Sequence, residues 1–575
     1  MTKLCTSINL CAAAACATAI AACGASQQST TPPPGQPPET AKAKPATPPT
    51  TPPEAVKKPP AAPVKPPVVA RAQPPVQNLV FPDEPFRNKQ PKAGERHTFR
   101  LPRLKRVNLR RGIHGYLMED HSLPTISVSL VIPGGSINDP KGKEGLAGVC
   151  MDLLTSGTKK LDRLAFSAAL ADTASRVNSY AGRDEQVVTM ATLSKYFDAT
   201  FALFRDSLLN PGFRADELGR IIKRRVARLR QARASAASVS RRLSRAIAMG
   251  KNHPLARITT MQSLNNINVN DCVAYHKRWI KPRLAKLFVV GDMTRAQLRK
   301  KFGKGLVAWK GRAPRSARVG NPKPMPGRVF FVDIPGSAQS SVVILNRGPR
   351  RKARNYFANS MAVAVLGGSF SARVNMNLRE DKGYSYGARA GFVYNRKFGR
   401  FYAGAQVRSD STYQSVLELI KEIKAISSGK KPATRAELTR ERNGDILGLP
   451  GRFATARSAL ARYRGLIYYG LPLGYYNSYA RKLSRLTLAQ VNRAAHRVLG
   501  LKGARLLVVG DGDAMVKVRK DGKDVPLMVN GKPVKLRDSL QMLVASGKLG
   551  KGKLVTLDVD GNTATAGTAT SSNQP

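Results

Sequence analysis

Acidic residues are scarce in this 575-residue sequence, which has 36 Asp and Glu against 96 Lys and Arg and a formal net charge of +60. The basic excess is spread along the chain, which favours a general attraction to polyanions that weakens with salt. The sequence also lacks zinc-finger spacing and a basic region followed by heptads, so it does not predict specific nucleic-acid recognition. The simplest interpretation of the charge is a solvated basic surface that faces anionic lipid or cell-wall polymers.

Histidine is equally scarce. The six histidines stand at positions 97, 114, 121, 253, 276 and 496, and no two lie within four positions of each other. A zinc site carried by one helix as H-x-x-E-H or H-E-x-x-H needs two histidines at that spacing. Both motifs are therefore excluded.

Cysteine is nearly absent after the N-terminus, where positions 5, 11, 16 and 23 are occupied; only Cys150 and Cys272 follow. This distribution excludes a framework of several disulfides. Both later cysteines stand beside apolar residues, and the sequence favours two buried thiols over a bond or a ligand pair.

The first residues have the features of a secretory signal. Lys3 precedes a short, Ala-rich apolar run that is too short to span a membrane, and small residues lead to Cys23 and Gly24. The stretch resembles a bacterial lipobox, which implies a lipoprotein signal peptide over residues 1–22 and lipidation of Cys23. Because no Asp follows Cys23 as an inner-membrane retention signal, we expect a lipid anchor in the outer membrane, facing the periplasm. An ordinary signal peptide is the alternative.

Residues 23–92 are dominated by Pro, Ala, Thr and Lys. Such a segment cannot bury a core, and we expect a disordered, extended tether. The remaining length and the 42% hydrophobic content suffice for folded domains.

Two halves of the sequence repeat each other. Residues 287–292 (LFVVGD) match residues 506–511 (LLVVGD), and residues 126–130 correspond to 340–344 at nearly the same offset. That offset also relates one amphipathic helical stripe to another: Phe197, Phe201 and Phe204 to Val416, Ile420 and Ile423. Several matches in one order argue for a duplicated domain.

The order of strands and helices in each half predicts an α+β protein made of two homologous α/β sandwich domains, with helices packed on a mixed, mainly antiparallel sheet. We place the domains at 93–310 and 329–512, joined by a Pro-containing linker at 311–328. Residues 513–575 predict a short β-rich extension, with turns at Asp521-Gly522 and Asn530-Gly531, and a disordered tail.

Motifs in the first half suggest a family. They are GGS at 134–136, EGLA at 144–147, GT at 157–158, NSY at 178–180 and LLNP at 208–211. Together they resemble the N-terminal domain of the pitrilysin/insulinase-type zinc metallopeptidases, the inverzincins. The resemblance implies a clamshell formed by the two domains.

In that family a helix after Gly-Leu-Ala carries H-x-x-E-H. The matching residues here are Gly148, Met151 and Asp152, and the register of the third ligand falls on Arg228. The resemblance therefore implies that the zinc site is lost and that this chain binds no metal directly. A rebuilt site from Cys150, Asp152 and a distant histidine is the alternative.

The second half keeps a longer motif, LGGSFSAR at 366–373 followed by NLREDKGYSY at 377–386. It resembles the C-terminal signature of the same family, which implies that Arg379 and Tyr386 hold the substrate and its developing oxyanion. Asn178 is a weaker candidate for contact with the peptide backbone. The alternative is structural: Arg379 pairs with a nearby acid, and Tyr386 packs in its strand.

These expectations favour a non-catalytic subunit of a pitrilysin-type peptidase complex. It would supply Arg379 and Tyr386 to a partner subunit that binds the zinc, and a peptide would be the substrate. The alternative is a membrane-tethered envelope scaffold, or a protein that binds polyanions or peptides, without any peptidase role.

Overall fold

The computed structural model describes residues 101–564. The predicted signal peptide, the lipidation site Cys23, the tether up to residue 92 and the tail after residue 564 lie outside the described residues, and those predictions stay predictions.

Strands and helices alternate along the described chain in two similar series. The strands are β1 Lys105–Asn108, β2 His114–Glu119, β3 Thr125–Pro133, β4 Arg176–Ala181, β5 Glu185–Leu193, β6 Lys286–Gly291, β7 Val329–Asp333, β8 Gln339–Gly348, β9 Ser385–Tyr394, β10 Gly399–Arg408, β11 Arg505–Gly510, β12 Lys517–Lys520, β13 Lys523–Pro526, β14 Met528–Val529, β15 Lys532–Pro533 and β16 Leu554–Leu557. The first eight helices are α1 Leu146–Leu154, α2 Arg163–Ala171, α3 Phe197–Leu209, α4 Ala215–Arg233, α5 Ala236–Met249, α6 Met261–Asn265, α7 Val269–Trp279 and α8 Arg295–Gly305. The others are α9 Tyr356–Gly367, α10 Arg373–Asn375, α11 Thr412–Ser427, α12 Arg435–Leu447, α13 Ala456–Tyr469, α14 Tyr479–Ser484, α15 Leu488–Val498 and α16 Leu536–Ala545.

The strands form two six-stranded sheets with the same plan. The first has the order β1-β2-β6-β3-β5-β4 and the second β16-β7-β11-β8-β10-β9. In each sheet the repeated apolar strand, β6 or β11, pairs in parallel with one neighbour and antiparallel with the other. The predicted α+β class and mixed, mainly antiparallel sheets are confirmed, and so is the duplication.

Each half covers the sheet of the other with one helix. Helix α5 of the first half packs on β8 and β11, and its Val239 and Leu243 join a buried cluster with Phe330 of β7 and Val509 of β11. Helix α13 of the second half packs on β6, and its Tyr463 joins a core that includes Phe288 of that strand. The halves therefore share their hydrophobic cores.

The predicted linker lies along the first half. The backbone N–H groups of Lys323 and Met325 donate to the carbonyl oxygens of Met249 and Ile247 at the end of α5, and Val319 is buried. Residues 311–328 thus pass over α5 before β7 begins.

The chain after residue 512 completes the second sheet. Two hairpins, β12–β13 and β14–β15, turn at Asp521-Gly522 and Asn530-Gly531, where all four residues have positive φ, as the predicted turns require. Strand β16 then pairs in parallel with β7. The predicted boundary at residue 512 consequently falls inside a packed unit.

Candidate functional site

The helix that carries the zinc motif in the resembling family is present as α1, but two of its three motif positions offer neither a metal ligand nor a base. Gly148 has no side chain, and Met151 is 1% exposed and packed in the core of the first half. Asp152 is the remaining candidate ligand. Among residues 101–564, no group of three or more His, Cys, Asp or Glu side chains is placed to hold a metal ion.

A guanidinium lies against this helix. Arg225 of α4 donates from Nε to Asp152 Oδ2 at 3.0 Å, and its Nη2 lies 2.8 Å from the same oxygen. A Cβ atom at position 148 would lie 3.0 Å from Arg225 Nη1. The α4 residue in contact with α1 is therefore Arg225, and Arg228, on which the family's third-ligand register falls, lies one helical turn further along the same face of α4.

Cys150 and Cys272 form a disulfide, with Cα atoms 5.0 Å apart, so the prediction of two buried thiols is wrong. The reason is tertiary, because α1 packs directly on α7 and brings together cysteines that are 122 positions apart. The bond also excludes Cys150 from the alternative metal site with Asp152, since a disulfide sulfur is no thiolate ligand.

The start of α1 is fixed by a buried carboxylate. Asp139 accepts hydrogen bonds from the backbone N–H groups of Gly145 and Ala147, both at 2.9 Å, as an acid at a helix N-terminus should. Burial raises the pKa of Asp139 to about 6, against the opposing effect of those two hydrogen bonds.

The end of α1 is tied to an edge strand of the first sheet. The Ser179 hydroxyl of β4 donates to the carbonyl oxygen of Met151 and lies 3.0 Å from the Thr155 hydroxyl. Asn178, the candidate peptide contact, is exposed on the same strand, and its carbonyl oxygen accepts from Thr189 of β5. Asn178 therefore lies at a sheet edge, and its role stays a prediction.

In the second half, the signature segment folds as a compact corner between α9 and β9. A Cβ atom at Gly367 would lie 2.2 Å from the backbone nitrogen of Ala390, so only glycine allows this close approach. The buried Asn375 side chain donates to the Phe370 carbonyl oxygen at 2.7 Å and accepts from the Ala388 N–H at 3.0 Å. These bonds hold the loop against the strand.

Arg379 lies in a π-helical turn, Met376–Asp381, that follows α10. Its side chain is 41% exposed, its Nε lies 3.2 Å from Glu380, and its guanidinium lies 4.6 Å from the centroid of the exposed Phe370 ring. An ion pair at this exposure contributes little to stability. The structural alternative of a nearby acid is present, but it leaves the guanidinium accessible.

Tyr386 projects from a β-bulge. Residues 386 and 387 of β9 together stand opposite Gln406 of β10, and the Ser385 hydroxyl stabilises the bulge by donating to the Gln406 carbonyl oxygen at 2.7 Å. Bulges re-aim side chains in this way. Tyr386 is 88% exposed, so the alternative of a packed strand residue is wrong.

Comparison with known proteins agrees with this geometry. Residues 116–261 match the family model described as Insulinase (Peptidase family M16), and residues 266–444 match the model described as Peptidase M16 inactive domain. The chain belongs to peptidase family M16. With the zinc ligands of α1 replaced, it is a non-catalytic member of that family, as the resemblance implied.

One curated relative is the Non-peptidase homolog YmxG of Helicobacter pylori (strain ATCC 700392 / 26695). It is 25% identical over 382 residues, which are 65% of this chain and 86% of the relative.

Two solved structures share the M16 fold. A peptidase M16 inactive domain from Pseudomonas fluorescens has a TM-score of 0.65 and 22% identity, covering 72% of this chain and 98% of its own. A protease from Helicobacter pylori has a TM-score of 0.62 and 18% identity, covering 71% of this chain and all (100%) of its own. Both support the predicted two-domain fold.

Sequence reasoning missed three features of the site. Arg224 and Arg225 were overlooked because the register between two helices cannot be fixed to one turn without knowing how they pack. The disulfide could have been favoured, since a predicted export signal implies an oxidising compartment. The exposure of Phe370 had no signal in the sequence. No helix within residues 101–564 is both long enough and apolar enough to cross a bilayer.

Proposed function

We propose that this chain is a subunit of an M16 peptidase complex that supplies substrate and transition-state contacts without catalysing hydrolysis alone. A partner subunit with an intact H-x-x-E-H motif would bind the zinc. In this chain Gly148 and Met151 stand where a ligand and the general base would be, whereas Arg379 and Tyr386 keep accessible donors.

The observation that carries the proposal is the exposure of Tyr386 on its bulge. A bulge costs pairing in the sheet, and a tyrosine that only packed would be buried. A phenol and a guanidinium are fixed hydrogen-bond donors that suit the polarised carbonyl of a peptide in its transition state. Asn178 at the edge of β4 would contact the backbone of a peptide that adds as a strand.

Two measurements test this function. Affinity purification of the chain from its native cells should bring down an M16 protein with H-x-x-E-H and about one zinc per complex. In the reconstituted complex, Arg379→Ala combined with Tyr386→Phe should lower kcat/KM for peptide hydrolysis about 100-fold, because two transition-state donors are lost. The zinc content should not change.

Arg354→Ala is the matched control, since Arg354 is an exposed arginine of the same half. It should leave kcat/KM within about twofold of the unchanged complex. Absence of any zinc-bearing partner, or unchanged kcat/KM in the Arg379/Tyr386 variant, would refute the proposal and favour an envelope scaffold with no peptidase role.

We also propose that the protein is exported and held on the outer membrane by lipid on Cys23, facing the periplasm. The Cys150–Cys272 disulfide supports export, because such bonds persist in oxidising compartments. Cys23→Ser should abolish fatty-acid labelling and release the protein into the soluble envelope fraction. A labelled, membrane-bound Cys23→Ser protein would contradict the anchor.

A further inference from the structure

The position of the missing zinc site carries an excess of positive charge. Asp152 is the carboxylate that pairs with Arg225, and Arg224 Nη2 lies 3.7 Å from the same oxygen. Within residues 101–564, no other acidic group forms an ion pair with either arginine. Arg228 follows on the next turn of α4 and is exposed. We call Arg224, Arg225 and Arg228 the arginine cluster.

The donors of this cluster are only partly used. At 3.7 Å, the contact between Arg224 and Asp152 is too long for a hydrogen bond, and the Arg224 side chain is 42% exposed. A guanidinium has five N–H donors in a planar fork that matches a carboxylate. One aspartate cannot satisfy three such groups, so the cluster can accept a further anion.

A peptide can reach the cluster along the sheet edge. Strand β4 pairs only with β5 in the first sheet, which leaves its other edge without a strand partner in the described chain. Ser179 of β4 is bonded to Met151, the residue next to Asp152. An extended peptide added at β4 would therefore lie beside the end of α1, close to the arginine cluster.

We propose that the arginine cluster binds a carboxylate side chain of an acidic peptide, at the place where active relatives need a zinc ion. The inference rests on the proposed peptide-handling function and adds the class of peptide. Asp152 competes with the ligand for Arg225, while Arg224 and Arg228 form charge-assisted hydrogen bonds with the ligand. The open edge of β4 favours a peptide over other anionic polymers, because only a peptide has the backbone N–H and C=O groups that can pair with a strand.

The test compares two labelled synthetic peptides in fluorescence anisotropy with the purified full-length protein. One is an extended peptide with alternating glutamates, and its twin has glutamine at each of those positions. The acidic peptide should bind more tightly than its twin. Arg224→Gln with Arg228→Gln should weaken binding of the acidic peptide about tenfold, because charged hydrogen bonds are lost, and should not alter binding of the twin.

The matched control is Arg295→Gln with Arg299→Gln on α8, which removes the same charge from exposed positions elsewhere. Its affinity for the acidic peptide should stay within about twofold. An equal loss in both double variants would show general polyanion attraction and overturn the inference.

Asp152→Asn tests the site in the opposite direction. It removes the competing carboxylate with little change in shape, so the acidic peptide should bind several-fold more tightly. Unchanged or weaker binding would contradict the inference. Equal binding of the two peptides by the unchanged protein would also overturn it, but would leave the proposed function intact, because partner copurification and the Arg379/Tyr386 variant test that separately.

Discussion

Single residues decide what α1 can bind. A cation lies against the helix that carries the zinc motif in active relatives, and one aspartate holds it there: Arg225 contacts Asp152 through two of its nitrogens. Two features of this helix therefore oppose zinc binding: histidine ligands are missing, and a guanidinium fills the space next to Gly148.

Restoring the histidines should therefore not restore zinc. In the variant Gly148→His with Asp152→His, we expect no stoichiometric zinc after dialysis, because Arg225 repels the ion. Adding Arg225→Glu replaces the cation with a carboxylate ligand and should give about one zinc per chain, measured by elemental analysis. Adding Arg228→Glu instead is the control and should leave the site empty. If the two-histidine variant bound zinc with Arg228→Glu and without Arg225→Glu, position 228 and not 225 would be the place of the third ligand.

The disulfide is a second feature that depends on single residues. It closes a loop of more than a hundred residues between α1 and α7, with its cysteines 122 positions apart. Cys150→Ala with Cys272→Ala should lower the free energy of unfolding by about 4 kcal/mol, because the unfolded chain regains loop entropy. Urea unfolding with and without reductant measures this: reductant should destabilise the unchanged protein and leave the variant unaffected. A variant as stable as the oxidised protein would contradict this role.

At the scale of elements, the hairpin between β4 and β5 meets α13 of the other half. The Glu185 carboxylate lies 3.5 Å from the guanidinium of Arg464 on α13. Burial, together with the negative charge of the Glu185 carboxylate, raises the pKa of the neighbouring Asp184 to about 8 and outweighs the positive charges of Lys286 and Arg396, which lower it. The contact between the halves therefore contains an acid that stays protonated near neutral pH.

This acid makes stability depend on pH. In the unfolded chain an aspartate loses its proton near pH 4, whereas folded Asp184 keeps it up to about pH 8. Between these values the folded state binds one more proton, so stability from this group falls as pH rises, with a maximum slope of about 1.4 kcal/mol per pH unit.

Asp184→Asn should remove that slope, measured by urea unfolding across the same pH range. The exposed Asp172→Asn is the control and should keep it. An unchanged slope in Asp184→Asn would contradict the assignment.

At the scale of the molecule, the exchange of covering helices makes the halves dependent on each other. A fragment that ends at residue 310 would leave the β6 face that α13 covers open to water. We expect fragment 101–310 to be aggregated or partly unfolded alone, because an uncovered apolar sheet face aggregates. Co-expression with fragment 311–564, which contains α13, should recover a soluble complex in size-exclusion chromatography. A monomeric, cooperatively unfolding 101–310 fragment would contradict this dependence.

The sequence by itself determined the duplication and the fold, because these depend on local patterns. The strands LFVVG and LLVVG, the amphipathic stripes of α3 and α11 and the turns at Asp521-Gly522 and Asn530-Gly531 all carry periodicity or backbone preferences that neighbours in sequence impose. It also determined the loss of the zinc motif, since absent histidines need no structure to be noticed.

The tertiary structure decided the contacts between distant segments. Packing of α1 on α7 joined Cys150 to Cys272, and packing of α1 on α4 placed Arg225 against Asp152. The exposure of Tyr386 depends on a bulge between two strands. These features arise from three-dimensional register, which a single sequence cannot fix because a shift by one helical turn or one strand residue changes no local preference.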